Sequence, residues 1–158
     1  MNSLTTILYD WSKAVADRLD WLAPLAARIV VGWVFLWAGW AKLNNLPRMT
    51  EMFGSWGIPA PQIMTPFVSG MEFVGGILLL LGLLTRFTAV PMMIIMVVAT
   101  IAAKLGDVDS LATLLGFEET NYFILFAWIA IRGPGPVSLD HLLLQRLRPN
   151  RSPATYGA

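Results

Sequence analysis

Four stretches of the chain are apolar for long enough to cross a bilayer, and short polar or turn-forming stretches separate them. A span needs about 20 predominantly apolar residues, because a hydrocarbon core is about 30 Å thick and a helix rises about 1.5 Å per residue. The first stretch runs from about Pro24 to Leu43 and the second from about Ile63 to Thr85. The third, from about Phe87 to Leu105, is read with Pro91 in its first turn, where a missing amide costs little. It follows the second so closely that the pair predicts a tight hairpin at Thr85 and Arg86. The fourth, from about Glu119 to Arg132, is short, and is expected to tilt little, thin the bilayer, or begin earlier near Leu114. Unpaired backbone groups are not tolerated in lipid, so four such runs predict an all-α, polytopic membrane four-helix bundle.

The flanks carry a different pattern. Leu4, Leu8, Trp11, Val15, Leu19 and Leu22 recur at helical spacing, with Asp10, Lys13, Asp17 and Asp20 elsewhere on the wheel. Residues 1–22 therefore read as an amphipathic helix lying on the membrane, ahead of a bundle domain at 23–132. A secretory signal is not expected, since no basic start leads into an uninterrupted apolar run. Gly133-Pro134-Gly135-Pro136 stops the fourth helix, and Ser138 is placed to cap a short amphipathic helix through Leu147. Residues 133–148 are expected to be interfacial, and 149–158 to form a disordered tail.

Composition agrees with this and removes whole classes of function. The chain is 56% hydrophobic and 13% charged, against about 25% charged residues in a soluble domain. Its net charge of +1 offers no basic stripe for nucleic acid, so the expected partners are the lipid bilayer and a larger membrane complex or further copies of the chain. Lys13, Arg18, Arg86, Arg132, Arg146, Arg148 and Arg151 fall on the side that holds both termini and the second connection. The opposite side has Arg48, with Lys42 and Lys104 at helix ends, so the positive-inside rule predicts a cytoplasmic (inner) membrane protein with both termini cytoplasmic. Cysteine is absent and His141, the one histidine, lies beyond the last apolar run. No covalently bound cofactor is expected, and no ligand set for haem, iron–sulfur or metal.

An ionisable side chain within a span costs about 2.5 to 3.5 kcal/mol at the centre and normally has a partner. Glu72 sits near the midpoint of the second stretch, with Arg28, Lys42 and Lys104 as candidate partners. Side chains lean toward their helix N-terminus, which directs Glu72 toward Lys42 and Lys104, and Arg28 toward the headgroups. Gly32 and Gly39, like Gly75 and Gly82, are seven residues apart, and Gly70 and Gly76 widen the small face of the second stretch, which predicts a close pairing of the first two helices. Trp11, Trp21, Trp40 and Trp56 fall where an aromatic belt belongs. Trp33, Trp37 and Trp128 lie deeper, where they either pack or wall a pocket for a flat ring such as a quinone.

These residues together resemble the DoxX family of small four-helix membrane proteins. The resemblance covers about Leu25 to Leu142 and rests on three stretches. They are Arg28-x3-Gly32-x2-Phe35-x3-Gly39-x2-Lys42-Leu43, then Ile58-Pro59-Ala60-Pro61 with Glu72-x2-Gly75-Gly76 and Gly82-x2-Thr85-Arg86, and last Gly133-Pro134-Gly135 with Ser138-Leu139-Asp140. The resemblance implies a link to quinone-coupled sulfur oxidation and membrane redox homeostasis. Some relatives use cysteine pairs, and this chain has none.

Three functions follow as expectations. In the first, the bundle is a membrane subunit of a quinone-linked redox system, binding a quinone-like molecule among Arg28, Lys42, Glu72, Trp37, Trp40 and Lys104. A partner protein then supplies the electron carrier, and the chain is at most an accessory subunit of an oxidoreductase. In the second it is a structural or assembly subunit of a larger complex, bound through its tryptophan and glycine faces. In the third it is a small-molecule or proton transporter using Glu72.

Overall fold

The computed structural model describes residues 3–147, all helices and turns within that range. The expected tail at 149–158, with Arg148 and Arg151, lies outside the described residues. Helix α1 (Ser3–Leu19) precedes α2 (Leu22–Leu43), α3 (Leu46–Ser55) and α4 (Pro61–Leu81). Then come α5 (Thr85–Ala99), α6 (Leu111–Gly116), α7 (Glu118–Arg132) and α8 (Leu139–Leu147). A π turn at Thr100–Lys104 and a 3-10 turn at Leu105–Asp107 prolong α5. Helices α2, α4, α5 and α7 form the antiparallel bundle around Val31, Phe35, Leu79, Met92, Met96, Phe126 and Ile129.

Among the described residues three helical stretches are long and apolar enough to cross a membrane: Leu22–Leu43, Pro61–Leu81 and Thr85–Asp107. The fourth member, α7, has 15 residues and spans about 22 Å at the helical rise. It does not begin near Leu114, because Phe117 is extended and Leu114 belongs to the separate α6. The Thr120 hydroxyl donates to the Leu114 carbonyl across that break. Ser110 caps α6 by accepting from the Thr113 amide, and the hydroxyls of Thr113 and Ser110 hold the exposed Asp109 carboxyl below the usual carboxylate range.

The hairpin between α4 and α5 turns earlier than expected, at Gly82–Leu84 rather than at Thr85 and Arg86. Gly82 has φ +65° and closes α4 in a Schellman motif, with the Leu83 amide on Leu78 and its own amide on Leu79. Thr85 thus already opens α5, and Pro91 lies inside the helix rather than in its first turn. The carbonyl left without its intrahelical donor is that of exposed Phe87. The first connection also holds more than expected, since α3 fills it and buries Phe53.

Helices α2 and α4 make the closest contact of the bundle, as expected, but of the glycines expected there only Gly32, Gly39 and Gly76 meet the facing helix. A Cβ on Gly39 would lie 2.4 Å from the Phe73 nitrogen, and one on Gly76 would lie 2.4 Å from the Leu36 nitrogen. Gly32 faces Gly76 and Leu80, which fixes an antiparallel register. Gly75 points instead at Thr88 and Met92 of α5, and Gly82 at Arg28. Adjacent residues of a helix point about 100° apart, so Gly75 and Gly76 serve different neighbours.

Helix α1 stands apart, tied to the bundle by Arg132 and Asp20 at 3.3 Å. Its Leu4, Leu8 and Trp11 side chains are exposed among the described residues. Helix α8 starts as the sequence predicts, with the Ser138 hydroxyl accepting from the His141 amide at 3.1 Å.

If backbone contact holds α2 on α4, Gly39→Ala and Gly76→Ala should each destabilise the protein by about 1–3 kcal/mol. Gly70→Ala, where an added Cβ meets nothing within 4 Å, should be neutral or stabilising by about 0.5–1 kcal/mol. Thermal unfolding in detergent checks both; equal effects at all three positions would contradict the packing described.

Candidate functional site

The two ends of the bundle are built differently, and the difference follows from where the buried charges lie. At the end holding α1 and α8, Arg28 is 1% exposed. Its guanidinium donates to the carbonyls of Pro134 at 2.8 Å and Val137 at 2.6 Å. The Asp140 carboxylate accepts from the amides of Leu84 and Thr85 at 2.8 and 2.9 Å. These are open donors at the start of α5, so a residue far away in sequence supplies its cap. The Asp140 amide in turn donates to the Gly82 carbonyl at 2.9 Å. Gly82 and Gly133 leave room for Arg28 and Arg86 respectively. The stretch from Gly133 to Asp140 is thereby locked onto the bundle, and this end is filled.

The other end is hollow. The Lys42 ammonium donates to both oxygens of Glu72, at 2.7 and 2.6 Å. Glu72 is 2% exposed and Lys42 30%. The pair forms because α2 ends where α4 is halfway along, and both side chains lean toward their own N-termini and so toward each other. It lines a cavity of about 470 Å³, to which α2, α3, α4, α5 and α7 all contribute. Most of the wall is apolar, including Phe35, Phe53, Phe67, Ile95 and Met96. Polar groups enter as Lys42, Glu72, Lys104, Glu118, Glu119 and Tyr122. The π turn delivers Lys104, whose ammonium is 3.6 Å from Glu119 and 5.2 Å from the centre of the Phe117 ring. Tyr122 packs edge-on against Phe35 with ring centres 5.2 Å apart.

Of the six residues that the sequence grouped into one site, the structure brings Lys42, Glu72 and Lys104 into this cavity. Arg28 is at the opposite end, turned inward onto backbone carbonyls rather than toward headgroups. Trp37 and Trp40 are 53% and 49% exposed and lie on the outer face of α2. There Trp37 meets Trp33 and Trp40 meets Phe73. They share no wall with the cavity, because the face of α2 that carries Phe35 and Lys42 points inward. Sequence reasoning missed Glu118, Glu119 and Tyr122. The one available signal was two adjacent acids opening a short apolar run, where they also suit the positive end of the helix dipole.

Cavities of this kind, concave, mostly apolar and with few convergent polar groups, are the usual form of a small-molecule site, at about 300–1,000 Å³. Among the described residues no cluster of histidine, cysteine or acidic side chains could hold a metal ion.

A family model described as DoxX matches residues 23–105, which span α2 to the π turn. "Inner membrane protein YqjF" of Escherichia coli (strain K12) is 29% identical over 126 residues, 80% of this chain and 95% of that protein. An uncharacterized membrane protein of Mycobacterium tuberculosis (strain ATCC 25618 / H37Rv) is 35% identical over 134 residues, covering 77% of this chain and 82% of its own. "Putative oxidoreductase CatD" of Bacillus subtilis (strain 168) is 29% identical over 121 residues, 75% of this chain and 85% of that protein. No solved structure matches the chain.

Removing one partner of a buried ion pair strands the other, at a cost of about 3–5 kcal/mol, whereas replacing both with apolar groups can be close to neutral. Lys42→Met alone should therefore lower stability by about 3 kcal/mol, and Lys42→Met with Glu72→Met should recover most of the loss. A double variant as unstable as the single one would show that the pair does not act as a unit.

Proposed function

The chain belongs to the DoxX family of membrane proteins, and we propose that it serves as a membrane subunit of a quinone-linked redox system. In this reading the cavity at the hollow end holds a quinone-like ligand, and a partner protein supplies the electron carrier. The observation that carries it is an apolar cavity in which two lysines and a tyrosine, set beside three carboxylates, still have hydrogen bonds to give. Lys42 uses two of its three N–H groups on Glu72 and keeps one. Among the described residues Lys104 makes only the long contact to Glu119 and the face of Phe117. Among the described residues the Tyr122 hydroxyl makes no hydrogen bond. A flat ring with carbonyl acceptors fits such a lining, with Phe35 and Phe67 against its faces and lysines at its oxygens. When bound, a quinone supplies two-electron, two-proton acceptor chemistry. The naming of one relative as an oxidoreductase supports the same reading.

The distribution of Lys and Arg supports cytoplasmic termini, with the filled end toward the cytoplasm and the cavity in the outer half of the bilayer. Helices α1 and α8 then lie on the cytoplasmic surface with their leucines in the lipid. A second role as a laterally bound subunit of a larger complex, or as one copy in an oligomer, is favoured by the outward face of α2. There Trp33, Trp37 and Trp40 are exposed, and no hydrogen bond to their indole N–H groups is present among the described residues.

Titrating a tailless benzoquinone into the full chain in lipid nanodiscs tests the ligand reading. Saturable binding is expected, weakened about tenfold or more in Lys104→Met and in the Lys42→Met, Glu72→Met double variant, which loses donors but not its fold. Wild-type affinity in both variants, or no saturable binding at all, would overturn it.

A further inference from the structure

We infer that the ligand of this cavity carries a hydrocarbon tail, which leaves the bundle through a smaller pocket between α5, α6 and α7. The inference rests on the ligand reading above and adds a site of its own. The smaller pocket has a volume of about 190 Å³ and shares Met96 and Glu119 with the main cavity. The two spaces therefore lie side by side, with Met96 and Glu119 bordering both.

Its lining is made of carbon even where the sequence is polar. Thr100 and Thr120 both border it, but the Thr100 hydroxyl donates to the Met96 carbonyl and the Thr120 hydroxyl to the Leu114 carbonyl. What they show to the pocket is their methyl face. Val97 and Ile101, the other α5-side residues of this wall, are exposed on the flank of the bundle where the bilayer lies. The backbone gives way at the same place. The helix widens into a π turn at Thr100–Lys104, and α6 and α7 are parted by extended Phe117.

The two residues between the spaces are poor barriers. Met96 is unbranched and adapts its shape. Among the described residues one Glu119 oxygen has no hydrogen-bond partner, and its ion pair with Lys104 is 3.6 Å long. A polar ring held at Lys42 and Lys104 would thus have an apolar way out to the lipid beside it. An isoprenoid or alkyl chain is the chemistry that suits a pocket whose wall, apart from Glu119 at its border with the main cavity, is carbon.

The test compares a tailless benzoquinone with its decyl-tailed analogue on the full chain in nanodiscs, for the wild type and for Thr120→Trp, which fills the small pocket and leaves the main cavity intact. The wild type should bind the tailed form more tightly, and Thr120→Trp should cut that advantage about tenfold or more, the worth of about two buried methylenes. Binding of the tailless ring should be unchanged, which also reports that the variant is folded. Partition of the tail into lipid is the same for both proteins and cancels. Should Thr120→Trp lose tailless binding, Leu114→Phe makes the same comparison with a smaller plug. An undiminished tail advantage in a variant that still binds the ring would overturn the tail site alone, the tail then resting in bulk lipid. No saturable binding of either quinone to the wild type would overturn the ligand reading, and the tail site with it.

Discussion

A carboxylate halfway along an apolar helix has to be met by a cation, and the cation has to reach it without leaving its own helix. In this protein both requirements are satisfied by one contact between helices. Gly39 and Gly76 allow α2 and α4 to touch backbone to backbone, and that register sets the end of α2 beside the middle of α4. Lys42 then meets Glu72 with both carboxylate oxygens engaged. With bulkier residues at the two glycines the helices would part, and Glu72 would be left in a medium where an unpaired charge is costly. The ion pair and the glycine contact therefore depend on each other.

The same asymmetry divides the molecule into a filled end and a hollow end. Arg28 is as deeply buried as Glu72, but its direct hydrogen bonds are to backbone carbonyls of the Gly133–Asp140 stretch. Asp140 returns to cap α5. Most of the hydrogen bonds at this end are closed within the chain, although the Arg28 Nε and the Thr85 hydroxyl are buried without a partner among the described residues. At the hollow end the lysines keep donors in reserve, and the helices spread around a space that the side chains do not fill. A π turn at the end of α5, a form of helix often found at functional sites, carries Lys104 into that space.

Much of the architecture can be read from the order of apolar and polar residues. The three long helices follow from runs whose length alone commits them to a bilayer, and the direction in which Glu72 leans was enough to favour the lysines over Arg28. What the sequence hid has specific causes. Gly75 and Gly76 are adjacent, and only the three-dimensional register says which of them meets α2. Trp37 and Trp40 carry the same aromatic signature whether they face a pocket or lipid, and here they face outward. Arg28 looks like a headgroup ligand until Pro134 and Val137, more than a hundred residues away, are folded back over it. Glu118, Glu119 and Tyr122 open a helix too short to read clearly as a span, and they enter the cavity only because α7 packs along α5.

The family match covers α2 to the π turn and thus the three charged residues, Lys42, Glu72 and Lys104, that meet at the cavity. Native mass spectrometry of the gently purified full chain is the most direct test that this constellation exists to hold a small molecule. A retained adduct with the mass of a lipid quinone is expected on the wild type and not on the double variant in which both members of the Lys42–Glu72 pair are replaced by methionine. A wild-type spectrum with phospholipid alone, or a quinone adduct that persists unchanged in the double variant, would contradict it.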